Sequence, residues 1–190
     1  SMKADPNKTL FPAYKVKTYG GIPVAFIGMT LKATPSIVSA AGIKDVNFND
    51  EADTVNALIP ELKKQGIEAI VVVVHEGVAP STKFNKKTCD GLSGPLLGIL
   101  DRLDPAVDVV VSGHTHQSYI CDYTTKNPQK PFLLTSAGQY GTAITNIQLE
   151  LDGKTGDVIK KDAKQVPIQS EAYTSGTTTV NLTDLYQKFN

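Results

Sequence analysis

Two nearly uninterrupted valine runs constrain this chain more than any other feature. IEAIVVVVHEG spans 67–77 and AVDVVVSG spans 106–113, and neither alternates with polar residues. Such β-branched runs fit strands buried on both faces of a parallel sheet. Between them, LSGPLLGILDRLDP reads as a helix. Ser93 is its candidate cap, Pro95 sits in its first turn, and Leu96, Leu97, Leu100 and Leu103 form the buried stripe. Strand, helix and strand in that order join parallel neighbours by a crossover. Parallel strands end at one edge of their sheet, and ligands bind just beyond that edge.

His75 directly follows the first run, and His114 follows Ser112-Gly113 at the end of the second. The crossover therefore carries both to the same rim. His116 is two residues further on, and in extended backbone residues i and i+2 point the same way. The chain has 3 histidines in all, so every one is expected at a single sheet edge. Imidazole nitrogens that converge are a natural site for a divalent cation.

Several readings of that cluster remain open at this level. Three histidines alone fit a mononuclear zinc site with an open position. His114 and His116 with Cys89 and Cys121 would be a structural zinc site, although the spacing matches no finger or ribbon pattern. Glu76 is either a general base beside a ligand or a solvated loop carboxylate. Gly138-Gln139-Tyr140-Gly141 follows a strand and is a glycine turn able to approach a phosphate. No Gly-Lys-Ser/Thr follows it at P-loop spacing and no GxGxxG occurs, so an ordinary turn is the other reading. Cys89 and Cys121 are a disulfide pair or two buried thiols.

The remaining chain supplies the frame. GIPVAFIGMT (21–30) is a strand candidate, and NDEADTVNALIPELKKQG (49–66) is a helix candidate. Asn49 or Asp50 caps that helix, Val55, Leu58, Ile59 and Leu62 share a face, and Pro60 should kink or interrupt it. After residue 117, PFLLTSAGQYG, TAITNIQLELDG and DVIKKDAKQVPI read as antiparallel, half-exposed strands, with a hairpin at Asp152-Gly153. From about 166 the chain is Ser/Thr-rich, with a short helix candidate capped by Asn181. Nineteen basic residues balance nineteen acidic ones, and charged residues make up 20%. Neither sign forms a block, so a nucleic-acid polymer is not the expected partner. No apolar stretch approaches the roughly 18 residues of a membrane span.

VVVVHEG, VVSGHTHQ, PAYKVKTYGGIPVAFIGMT and CDGLSGPLLGILDRLDPAVDVVVSGHTHQSYIC together resemble the calcineurin-like metallophosphoesterases. Within them the likeness is to the bacterial 5′-nucleotidase and 2′,3′-cyclic-nucleotide phosphodiesterase family, over residues 10–165. The resemblance implies an α/β fold, part of a four-layer α/β sandwich: a parallel strand–helix–strand unit followed by antiparallel strands. It implies two divalent metal ions (Mn, Zn, Mg, Ca or Fe), His75 and His114 on one and His116 on its neighbour. The substrate would be a nucleotide or other phosphate ester, and the setting periplasmic or extracellular. That setting favours a Cys89–Cys121 disulfide, and the family's glycine turn near the site corresponds to Gly138–Gly141.

One departure matters. The family's Asp-x-His, metal-bridging Gly-Asp and Gly-Asn-His motifs are absent, and the one Gly-Asp, at Gly156-Asp157, falls in the late hairpin. Residues 1–165 are therefore expected to be the C-terminal portion of a catalytic domain, inactive alone. Ser1-Met2 resembles an expression remnant, and 166–190 a linker to a following domain. The alternative is a non-catalytic metal- or partner-binding module on the same fold. Half a sandwich would expose an edge and an apolar face, making a homodimer through that surface an expectation.

Overall fold

The computed structural model describes residues 1–81, 86–168, 173–175 and 178–180. The Asn181-capped helix expected in the tail lies outside them. A six-stranded sheet organises the chain, in the order β1-β2-β3-β4-β6-β5. Its strands are β1 (Tyr14–Tyr19), β2 (Ile22–Met29), β3 (Ala69–Val74), β4 (Val109–Val111), β5 (Ser118–Asp122) and β6 (Leu133–Ala137). β2, β3, β4 and β6 run parallel, while β1 and β5 are antiparallel at the two edges.

Helix α1 (Glu51–Lys64) follows its sequence signals closely. The Asp50 side chain accepts the Asp53 amide at 3.1 Å, and Ala52, Val55, Ile59 and Leu62 are buried on one face. Gly66, at φ +73°, closes the far end. Its amide reaches Lys63 O at 2.9 Å and that of Ile67 reaches Leu62 O at 3.0 Å, the two bonds of a Schellman ending. The expected interruption at Pro60 does not occur. Pro60 is on the exposed face, where water can serve the carbonyl that lost its amide partner.

The second helix is shorter than expected: α2 covers Leu96–Leu100, with Pro95 at the cap position. Ser93 does not cap it. Its amide and carbonyl pair instead with Ala79, at 3.0 and 2.7 Å. Leu96, Leu100 and Leu103 still pack into the main core with α1.

Two corrections concern the strands. PFLLTSAG was expected in an antiparallel region, yet β6 enters the central sheet parallel to β4. Leu133 to Ser136 are all buried, as a position between β4 and β5 demands. The hairpin of β7 (Ala143–Leu151) and β8 (Val158–Pro167) forms a separate two-stranded layer. Its turn runs from Asp152 to Asp157, and the left-handed glycine is Gly156, not Gly153. Asp152 accepts the amides of Lys154 and Thr155 at 2.7 and 2.9 Å, which selects the longer turn. A last hairpin pairs β9 (Tyr173–Ser175) with β10 (Thr178–Val180).

The valine runs are not buried on both faces throughout. The face toward α1 and α2 is sealed, but on the opposite face Val73 is 44% exposed. There β7 and β8 cover Leu133 and Ile120 and leave the region nearer β2 and β3 partly open. Cys89 and Cys121 are joined, with 5.0 Å between their Cα atoms, tying the loop after β3 to β5. Among the described residues no helix is long and apolar enough to cross a membrane.

Candidate metal centre

Two loops at the carboxyl ends of β3 and β4 build the rim. The His75 amide bonds Met29 O at 3.0 Å, continuing the β2–β3 ladder, and the Gly113 amide bonds Glu76 O at 3.1 Å. The Thr115 hydroxyl donates to Val78 O at 2.8 Å. Gly77 lies so close beneath that a Cβ there would sit 2.2 Å from Gly113 O. Only glycine permits this approach. Below, Tyr119 ties both loops together: its hydroxyl accepts the Val78 amide at 3.3 Å and is 2.7 Å from Ser112 Oγ. Burial pushes the Tyr119 phenol up, and its hydrogen bond with Ser112 opposes that in part. Tyr119 therefore stays protonated as a structural link.

His75 and His114 meet across this rim. Nδ1 of His114 is 3.3 Å from Nε2 of His75, and the rings stand edge-on with centroids 5.0 Å apart. Both side chains are exposed, so this nitrogen pair is open to a ligand from solvent. His116 goes elsewhere. Its ring faces Tyr140 at 5.6 Å instead of joining the other two. The extended backbone expected at His114–His116 is absent: both residues are left-handed, at φ 64° and 58°. A 2.7 Å bond from the Thr115 amide to Gly113 O tightens the coil between them.

The glycine turn stands beside His116. Gly138 and Gly141 have φ 84° and 69°, and Tyr140 between them has φ 54°. The Gly138 amide bonds Gln117 O at 3.1 Å, anchoring the turn to the His116 segment, and Tyr140 is 86% exposed. His114, His116 and Tyr140 are thus the non-glycine residues of positive φ among those described, and all flank one rim. Each such residue costs about 1–2 kcal/mol, a cost that persists where the surroundings hold the geometry. The sequence signal for Tyr140 was its place between two glycines.

Glu76 is buried, at 7% exposure, and accepts the amide of Gly77 at 2.9 Å. It is therefore not a solvated loop carboxylate. Both cysteine sulfurs are committed to each other, which removes them from any zinc site with the histidines. Among the described residues no group of three or more His, Cys, Asp or Glu side chains converges to hold a metal. Two imidazoles and a third nearby supply borderline nitrogen donors without a carboxylate between them. That donor set fits a divalent transition metal as part of a larger site.

The model of the calcineurin-like phosphoesterase family matches residues 5–118, more than half of the chain. The chain belongs to the calcineurin-like phosphoesterase family. It is 36% identical over 160 residues to a cell wall protein of Listeria monocytogenes, covering 81% of this chain and 20% of that protein. It is 33% identical over 160 residues to an endonuclease of Bacillus subtilis, covering 84% of this chain and 12% of that protein. Further relatives, 26–31% identical, are named 5′-nucleotidases. Among solved structures, a putative 5′-nucleotidase from Staphylococcus aureus superposes with TM-score 0.68 at 19% identity. The superposition covers 96% of this chain and 34% of that one. The chain therefore spans about a third or less of the lengths of these proteins, and it shares the mixed α/β fold of the S. aureus structure.

Proposed function

We propose that residues 1–165 are the C-terminal portion of the catalytic domain of a two-metal phosphoesterase acting on nucleotide phosphate esters. The observation that carries this reading is the 3.3 Å approach of His114 Nδ1 to His75 Nε2 at the ends of two parallel strands. His75 and His114 would hold one divalent ion and His116 its neighbour. When bound, the pair of ions supplies Lewis acidity and an activated water for in-line attack on phosphorus. The chain's own contribution is to orient the imidazoles through the Gly77–Gly113 contact and the Thr115–Val78 bond. Gly138–Gly141, with Gln139 and Tyr140 between, would form the substrate-side wall beside His116.

The carboxylate and amide ligands, and the proton donor to the leaving group, belong to polypeptide outside these residues. The 190-residue chain is accordingly expected to be inactive alone. The Cys89–Cys121 disulfide supports a periplasmic or extracellular setting, because such bonds persist where thiols are not kept reduced. Residues 166–190 would lead to a following domain.

The test is hydrolysis of nucleoside 5′-monophosphates and 2′,3′-cyclic nucleotides with added Mn²⁺ or Zn²⁺. The longer polypeptide should turn over and the 190-residue chain should not. Equal turnover by both would sink the fragment reading. Tight metal binding without hydrolysis by the longer polypeptide would favour a non-catalytic binding module.

A further inference from the structure

Tyr140 holds a costly conformation for little gain in folding. Its backbone is left-handed, at φ 54°, where glycine or asparagine would rest at less cost. Its ring is 86% exposed, so burial offsets almost none of that strain. The turn that carries it is nonetheless firmly held. The Thr142 amide and hydroxyl both donate to Gln139 O, at 3.0 and 2.7 Å, closing a turn over Tyr140 and Gly141. The Gly138 amide donates to Gln117 O at 3.1 Å, and the Ser136 hydroxyl donates to the same oxygen at 2.8 Å. The two backbone segments that carry Tyr140 and His116 are thus joined one residue away from His116.

What the ring does meet is His116, with centroids 5.6 Å apart and planes 58° apart. Aromatic pairs prefer this spacing and a tilted arrangement. A metal-ligating histidine usually has its ring fixed by a hydrogen bond from its second nitrogen. Nδ1 of His114 meets His75, but among the described residues the exposed His116 ring meets Tyr140 instead. We infer that Tyr140 is a positioning residue: its ring limits the rotation of the His116 imidazole and so preorganises it as a metal ligand. This rests on the reading of His116 as a ligand of the second ion. An imidazole held in its ligating orientation binds with its intrinsic affinity. One free to turn binds more weakly, by the fraction of time it spends in other rotamers. The contact is between rings and makes no use of the phenol oxygen, so phenylalanine should serve as well as tyrosine.

Titration of the longer polypeptide with Zn²⁺ tests this, using Tyr140→Phe and Tyr140→Asn. The ion to follow is the one whose binding His116→Ala removes. Tyr140→Asn should weaken that ion about three- to tenfold, the range such ring pairs contribute, while Tyr140→Phe leaves it unchanged. The other ion should be unaffected by either. Asparagine tolerates the left-handed backbone, so Tyr140→Asn should not lower the melting temperature, which separates lost orientation from lost folding. In the metal-free 190-residue chain, the His116 ring protons should shift in the NMR spectrum on Tyr140→Asn and hardly at all on Tyr140→Phe. Unchanged affinity for the followed ion in Tyr140→Asn overturns the inference, as does an equal loss in Tyr140→Phe or a His116 spectrum that ignores both substitutions. A raised KM for nucleotide at unchanged ion affinity would make Tyr140 a substrate contact and also overturn it. Equal weakening of both ions would assign Tyr140 to the stability of the rim instead. A single ion on the unsubstituted polypeptide removes the two-ion reading and the inference with it. Two ions, neither affected by Tyr140→Asn, remove the inference alone.

Discussion

His75 and His114 are 39 positions apart in the chain, yet their ring nitrogens approach to 3.3 Å. The contact depends on two parallel strands ending level, with Val73 paired to Val111 just below. If the pair binds one ion, His114→Ala or His75→Ala should each weaken Zn²⁺ binding by at least about tenfold. His116→Ala should leave that first ion's affinity within about twofold. Isothermal titration of the three variants checks the order, and equal losses from all three would contradict it.

Gly77→Ala should damage the rim from below. The new methyl would overlap Gly113 O, which belongs to backbone and cannot swing aside. Overpacking of this kind costs about 1–3 kcal/mol, readable as a lower urea midpoint at unchanged slope. Metal affinity should fall with it, whereas Gly98→Ala, in an exposed position of α2 where a Cβ meets nothing within 4 Å, should leave affinity unchanged and raise the midpoint slightly.

Reducing Cys89–Cys121 should destabilise the fold strongly. The bond closes a loop across 32 positions, and chain-entropy estimates for that length give about 3–4 kcal/mol. Thermal unfolding with and without reductant measures the difference. A shift near zero would mean that the loop after β3 is held chiefly by its other contacts.

Asp50 should make stability fall in acid. The Arg102 guanidinium, at 2.7 and 2.8 Å, holds the Asp50 carboxyl well below the usual carboxylate range. A depressed pKa stabilises the folded state above the unfolded value, about 3.9, and that stability is lost as pH falls through the folded value. Asp50→Asn keeps an N-cap residue but removes the ion pair. Because the pair is solvent-accessible, it should cost about 0.5–1 kcal/mol at pH 7. That difference starts to shrink only below the unfolded value, about 3.9, and persists in part near pH 2 because the folded carboxyl titrates lower still. Urea unfolding at several pH values tests the slope, and a pH-independent difference would assign the loss to capping instead.

The parallel core was readable from the chain because its signals are local. Uninterrupted valines, a leucine-striped helix between them and histidines after each run suffice to bring His75 and His114 to one edge. The ends of α1 were equally plain, since Asp50 and Gly66 act through neighbouring backbone. Helix α2 and β6 were harder. Ser93 had a capping pattern, but a bridge to Ala79 claimed its backbone, and β6 was placed by the vacant slot between β4 and β5.

Residue types and periodicity thus settle which chemistry reaches the rim, because a strand's end and its next residue are covalently linked. Long-range packing settles how that chemistry is arranged. The left-handed residues His114 and His116 flank Thr115, which bonds Val78 O and lies against Gly77, and His116 faces Tyr140 while His114 faces His75. The open valine face is likewise a tertiary outcome: the run is hydrophobic on both sides, and only the position of β7 decides which valines remain uncovered.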